Sequence, residues 1–407
     1  MNNNLTEKPK LAKKKLLAVY PHNFFQEKSG INSRFLELME YFKSRGFHTD
    51  MLTLQNFSSS WENFPPDKKG LIRELYFYDY KKGARWQLPR NKKSSAWGWL
   101  KKRVSFLNTY SHLPDFAFPG MKRMLERLVR QNGYDYILIS YVYWADLIRS
   151  ESFTGAAVTT ILDLSDFVTL NRFDSAEGSI KIGPLIEEEI RRVNLFDKVL
   201  CISEDEMAFF SQFASRPAYS YIPFFTNRKE PPPGGGRHFD ILFVGSDNPH
   251  NRKGIAWFLD EIGPALDAPV KILIVGSVSN FIKPSGNITC IPYADNLEEI
   301  YSDSKISVCP LNGGTGMKIK VVEALSYGLP VVTTWKGMAG FPSHTDTGCL
   351  IGETPSEFTG HIRRLLSDPG FYRRQSGLAA RFFLDNFEKS HIYSSLDRVF
   401  EQQTERP

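Results

Sequence analysis

Cysteine is scarce in this chain: Cys201, Cys290, Cys309 and Cys349 are widely spaced, and no Cys-x-x-Cys pair occurs among 407 residues. That spacing suggests neither a zinc site nor a disulfide framework and fits a reducing compartment. Long apolar runs are also missing, since nothing approaches the roughly 18 residues that would span a bilayer. The basic, polar start MNNNLTEKPKLAKKK leads into LLAVY, too short for a signal-peptide core and without a small-residue cleavage site after it, so a cytoplasmic protein is expected. LLAVY reads better as a first buried strand. The turn after it, PHNFFQEKSG, lacks the Gly-x-Gly-x-x-Gly spacing of a dinucleotide fold, which argues against an NAD-dependent dehydrogenase.

Acid is absent from one long stretch. From Tyr80 to Tyr110 the chain carries nine Lys or Arg, no Asp or Glu, and Trp86, Trp97 and Trp99. Tryptophan with lysine suits the headgroup level of an anionic membrane, where each basic residue contributes about 1 kcal/mol. Such a patch would also attract nucleic acid, or be a surface insertion with no ligand. Membrane is the partner expected here, and nucleic acid is not.

What is present is the content of a globular protein, 42% hydrophobic and 24% charged, long enough for two domains that each bury a core. The first half alternates short apolar runs with helical patterns, as a doubly wound parallel sheet does. LLAVY, TDMLTL, and the runs at 134–141, 158–165 and 197–203 read as strands, with a helix over INSRFLELMEYFKSRGF. EPPPGGGR can continue neither element and marks a linker. The pattern then restarts with strands in FDILFVGS, VKILIVGS, NITCIPY, ISVCPL, PVVTT and GCLIG, and a helix over GIAWFLDEIGPAL. The expected organisation is an N-terminal domain over 1–227, a linker over 228–238, a second domain over 239–390, and a C-terminal helix over 391–407 crossing back.

The richest segment is ISVCPLNGGTGMKIKVVEALSYGLPVVTT, residues 306–334. An apolar strand enters a loop holding Gly313, Gly314 and Gly316, whose backbone can approach a ligand closely, and a helix then opens with unpaired N–H groups toward that loop. Lys318 and Lys320 put positive charge where it opposes the helix dipole unless an anion offsets it. Glu323 lies between Val322 and Ala324 on a core-facing helix, and an unpaired carboxylate there is costly. Ribose hydroxyls would supply its partners. The plainer reading is an ordinary glycine-rich turn with solvated lysines and a Glu323–Lys320 pair.

These residues resemble the retaining nucleotide-sugar glycosyltransferases of family 4, whose GT-B fold has two facing Rossmann-like domains. FVGSDNPHNRKGIAWFL is similar to that family's strand, glycine turn and basic pair, which implies that Gly245, Ser246, Arg252 and Lys253 approach the donor diphosphate. GGTGMKIKVVEALSYGLPVVTT resembles its donor signature, so Gly313, Gly314, Thr315, Gly316, Met317, Lys318 and Lys320 would line the donor site and Glu323 hold the ribose. Pro292 and Tyr293 are implied beside the base, and Gly30 beside the phosphates. Many relatives have a Glu-x7-Glu motif whose first position is Thr315 here, and a histidine where Ser165 and Asp166 stand.

The resemblance implies retaining transfer of a sugar from a UDP- or GDP-sugar co-substrate, with no other cofactor and no metal, to a glycan or lipid-linked acceptor in cell-surface polysaccharide or glycoconjugate synthesis. No Asp-x-Asp triplet occurs. Arg252, Lys253 and the loop backbone are then the catalytic resource at the departing diphosphate. Asp166 is a candidate for orienting donor or acceptor, with a strand-end cap as its structural alternative. His22 and His250 lie near predicted loops, where solvation is the plainer reading. The competing functions are a sugar-nucleotide epimerase of the same fold and a catalytically silent nucleotide-binding protein.

Overall fold

The computed structural model describes residues 14–25, 30–55, 70–79, 83–86, 113–149, 153, 158–175, 180–229, 237–266, 270–294 and 296–401. Most of the basic aromatic stretch and of the proline-glycine tract lies outside them.

In the first half the elements run β1 (Lys15–Val19), α1 (Gly30–Ser44), β2 (His48–Leu54), β3 (Leu75–Asp79), β4 (Gly83–Trp86), α2 (Pro119–Asn132), β5 (Tyr136–Ser140), β6 (Thr159–Leu164), α3 (Val168–Ser175), α4 (Ile182–Val193), β7 (Lys198–Cys201), α5 (Glu204–Phe213) and β8 (Ala218–Tyr221). They form one sheet in the order β4-β3-β2-β1-β5-β6-β7-β8. All pairings are parallel except β3 with β4. A parallel return needs a crossover of a dozen or more residues, and the three between Asp79 and Gly83 allow only an antiparallel one.

The second half holds β9 (Phe239–Val244), α6 (Pro249–Trp257), β10 (Ile272–Val275), β11 (Ile288–Ile291), α7 (Leu297–Ser302), β12 (Ser304–Cys309), α8 (Ile319–Ser326), β13 (Val331–Thr333), β14 (Cys349–Ile351), α9 (Pro355–Ser367), α10 (Pro369–Asn386) and α11 (Lys389–Glu401). Its sheet is wholly parallel, in the order β11-β10-β9-β12-β13-β14. The helix expected over GIAWFLDEIGPAL starts earlier, at Pro249, because Asn248 caps it by accepting from the Asn251 N–H.

Each sheet is covered on both faces, which explains its near-continuous apolar strands. Along β1, Leu17 and Val19 enter one core and Leu16 and Ala18 the other. In β9, Leu242 faces one core and Ile241 and Phe243 the opposite one. The strand order reverses between β1 and β5 and between β9 and β12, and the crevice beyond the carboxyl ends at such a reversal is where ligands bind. The chain returns to the first domain at its end. Ala379 and Phe383 of α10 pack in the second domain, whereas Ile392, Leu396 and Phe400 of α11 join the core under α1. No helix among the described residues is long and apolar enough to cross a membrane.

Candidate active site in the cleft

β12 ends at Cys309 and the chain turns through residues 310–318 into α8. Gly314 (φ 90°) and Gly316 (φ 69°) adopt the left-handed region, which glycine enters without strain. Lys318 holds this loop from beneath. Its ammonium donates to the carbonyls of Gly314 (3.1 Å), Thr315 (3.0 Å) and Gly316 (2.8 Å), and burial lowers its pKa. A lysine that looks from sequence like an anion ligand is thus largely spent on the loop's own shape.

Lys320 lies two residues on. Its ammonium donates to Asn251 Oδ1 (2.7 Å) and stands 4.4 Å over the Phe243 ring, and burial lowers its pKa to about 8. Asn251 in turn donates to the Ser246 carbonyl (2.8 Å), so one amide joins α6, the turn after β9, and α8. Glu323 follows on α8, its Oε2 accepting from the Tyr301 hydroxyl at 3.0 Å. Burial pushes its pKa up to about 7, with the Tyr301 bond and Lys320 pulling the other way. Tyr301 is fully buried and stacks on Tyr327 (5.0 Å, 13°), which fixes the carboxylate.

Asn251, Lys318, Lys320 and Glu323 line a cavity of about 370 Å³ between the two domains. Of the residues singled out in the sequence, it is lined by Gly30, Asp166, Gly245, Ser246, Gly313, Gly314, Thr315, Met317, Lys318, Lys320 and Glu323. Gly30 opens α1 so close to α8 that a Cβ there would stand 2.6 Å from Ile319 Cδ1. Asp166, just past β6, accepts from Thr315 Oγ1 at 3.2 Å across the cleft. Nearby, Asp174 accepts from the Gly314 N–H (3.2 Å) and pairs with Lys336 (3.2 Å).

Others stand outside the lining. Gly316 lies against Asp166 and Glu206. Arg252 and Lys253 are exposed on α6, and the Arg252 guanidinium pairs with Asp247 and lies 3.5 Å over the Phe281 ring. Pro292 is exposed and Tyr293 is 65% exposed, past β11. His250 is a lining residue that sequence reasoning set aside; it packs on Gly313, and burial lowers its pKa. Burial lowers His22 as well, beside Tyr20 and Tyr141. Asn251 and Tyr301, which organise Lys320 and Glu323, were missed. The Asn-Pro start of α6 is the one signal that could have found the first. Among the described residues no group of three or more His, Cys, Asp or Glu is arranged to hold a metal ion.

Residues 238–368 match the model of the family described as glycosyl transferases group 1. An uncharacterized 44.6 kDa protein in the cps region of Klebsiella pneumoniae is 23% identical over 298 residues, 67% of this chain and 76% of that protein. Among solved structures, the sucrose-phosphate synthase of Thermosynechococcus elongatus overlays with a TM-score of 0.69 at 16% identity, over 96% of this chain and 98% of that one. Anabaena HepE, solved with UDP and glucose, overlays with a TM-score of 0.64 at 13% identity, over 96% and 100%. The architecture is the GT-B fold expected from the sequence.

Proposed function

From a GT-B fold whose residues 238–368 form a glycosyl transferases group 1 domain, we propose that this protein transfers a sugar from a nucleoside-diphosphate sugar, uridine diphosphate being the leaving group, to a glycan or lipid-linked acceptor in cell-surface polysaccharide synthesis. One observation carries the reading: Glu323, fixed by Tyr301 beside the Lys320 ammonium, on the wall of the cleft cavity. A ribose diol matches the carboxylate, and a diphosphate matches the ammonium and the N–H groups that open α8. HepE, solved with UDP and glucose, supports the uridine donor, and the relative in a cps region supports the polysaccharide role.

The bond between the anomeric carbon and the phosphate oxygen breaks through an oxocarbenium-like transition state, so negative charge grows on the diphosphate. Lys320, exchanging Asn251 for the phosphate, and the N–H groups at the start of α8 would meet that charge, and dipoles of this kind are the main catalytic resource. Arg252 and Lys253, adjoining Asn251 on α6, reach the same phosphates once Arg252 exchanges Asp247 for them. The acceptor oxygen attacks from the face the diphosphate leaves, and its proton passes to the departing phosphate oxygen. This keeps the anomeric configuration and calls for neither metal nor dedicated base.

A thermal-shift panel of UDP, GDP, CDP, ADP, their common sugar conjugates and NAD tests the reading. UDP at 100 times its dissociation constant is expected to stabilise the protein by about 2.7 kcal/mol, with no response to NAD. Silence across all the diphosphates would refute it. We further place the protein at the cytoplasmic face of the membrane, held through the basic aromatic residues 80–110. It should float with liposomes rich in anionic lipid and not with neutral ones; equal behaviour on both would remove the membrane from the proposal.

A further inference from the structure

The loop end of the cavity is acidic in a way that donor phosphates do not explain. Asp166 lines it and accepts from Thr315 Oγ1 (3.2 Å) and, at 3.5 Å, from the Asn171 side-chain amide. Behind it lies Glu206, 4% exposed, with the Phe167 backbone N–H beside its carboxyl. Both carboxylates converge on Gly316, where a Cβ would stand 3.3 Å from Asp166 Oδ1 and 3.8 Å from Glu206 Oε1. Two buried carboxyls side by side disfavour ionisation of both at once. Burial pushes Asp166 up to about 6, with Lys318, Thr315 and Asn171 opposing, while burial and the neighbouring Asp166 push Glu206 well above its ordinary value, toward the neutral acid.

Its place along the site tells what it meets. Given the donor reading above, the ribose lies at Glu323 and the diphosphate at the start of α8, four residues and about 6 Å nearer the loop. The group beyond the diphosphate therefore lies at Thr315 and Asp166. That group is the sugar being transferred.

We propose that Asp166, backed by Glu206, reads the transferred sugar across the cleft: its carboxylate accepts from sugar hydroxyls and selects an uncharged sugar over a uronic acid. A uronic carboxylate there would meet the like charge of Asp166 directly, whereas the hydroxyls of a neutral hexose can donate to it. The inference rests on the donor reading, and it adds that the first domain sets sugar preference while the second holds the nucleotide.

The test is competition binding of UDP, UDP-glucose and UDP-glucuronic acid to wild type and to Asp166→Asn, which keeps the shape and the acceptor for Thr315 but not the charge. Wild type should prefer UDP-glucose to UDP-glucuronic acid by about tenfold or more. In the variant UDP should bind within about twofold of wild type, and the preference should shrink about tenfold, the scale of one charge-assisted hydrogen bond. The exchange variant Asp166→Thr with Thr315→Asp should regain part of that preference by presenting the carboxylate from the other wall. Normal UDP binding with an unchanged preference in Asp166→Asn overturns the inference alone. No UDP binding to wild type overturns the donor reading and the inference together.

Discussion

Glu323→Ala is expected to weaken binding of the nucleotide donor at least about 100-fold, because two ribose hydroxyls on an ionised, fixed acceptor are worth about 1.5–3 kcal/mol each. Isothermal titration with UDP and UDP-glucose reads it. The same substitution should not destabilise the empty protein at alkaline pH. Burial raises this carboxyl from 4.5 to about 7, so the native state holds its proton more tightly than the unfolded chain. Its contribution to stability is fully present below the unfolded pKa and lost as pH rises through about 7, so at pH 8 wild type carries the cost of a buried anion. Glu323→Ala should then melt no lower than wild type without ligand. A purely structural Glu323 predicts the reverse, a lower melting temperature with affinity intact.

Ribose hydroxyls favour the ionised form, so affinity for the donor should fall as pH drops below about 7, approaching tenfold per unit, and Glu323→Gln should remove that contribution, leaving only the slope of Asp166 below about pH 6. At the other end Lys320, lowered to about 8 by burial, loses its charge, and affinity should decline again above that pH. A UDP-sugar is the probe to use, since its diphosphate carries no proton that titrates between these limits. Tyr301→Phe should move the lower limit upward, because the Tyr301 bond is what opposes desolvation.

Local features of this site were legible from residue order, and contacts between distant residues were not. The glycine loop, α8 and Glu323 share one stretch of chain, so composition and helical spacing were enough to group them. The same holds for the six strands of the second sheet, whose apolar runs follow from burial on both faces. β8 escaped notice because it is an edge strand, AYSY, without an apolar pattern, and β3 because LYFYD stands next to a basic stretch with no periodicity of its own. Residue order reads Lys318 as positive charge in the first helical turns, which an anion would offset. Its true partners, three carbonyls in the preceding turn, depend on the left-handed path of Gly314 and Gly316, which residue order does not specify. Asp166 meets Thr315 from 149 residues away, a pairing only the assembled domains create.

Arg34→Leu is expected to cost about 3–5 kcal/mol, a large part of the roughly 5–15 kcal/mol that keeps a domain folded. Arg34 on α1 is fully buried. Its Nε and Nη2 donate to Asp163 Oδ1 (3.1 and 2.8 Å), and its Nη1 donates to the carbonyls of Ile222 (2.5 Å) and Pro223 (2.7 Å). Asp163 also accepts from Ser140 Oγ at 3.1 Å. One guanidinium thus ties α1 to the ends of β5 and β6 and to the chain leaving β8, and leucine would strand a buried carboxylate and two carbonyls. Arg34→Leu combined with Asp163→Leu should recover part of the loss, because the penalty of an orphaned charge exceeds the net worth of the pair. Urea unfolding should be read as two transitions, since a two-domain chain need not unfold in one step. The first-domain transition is expected to shift and the second to stay, with the thermal response to UDP retained. The sugar preference should suffer before that response does, because Gly30 and Asp166 are the groups this bridge holds in place, whereas Lys320 and Glu323 stand on the other domain. A variant that lost UDP binding while keeping its first-domain transition would contradict this division of labour.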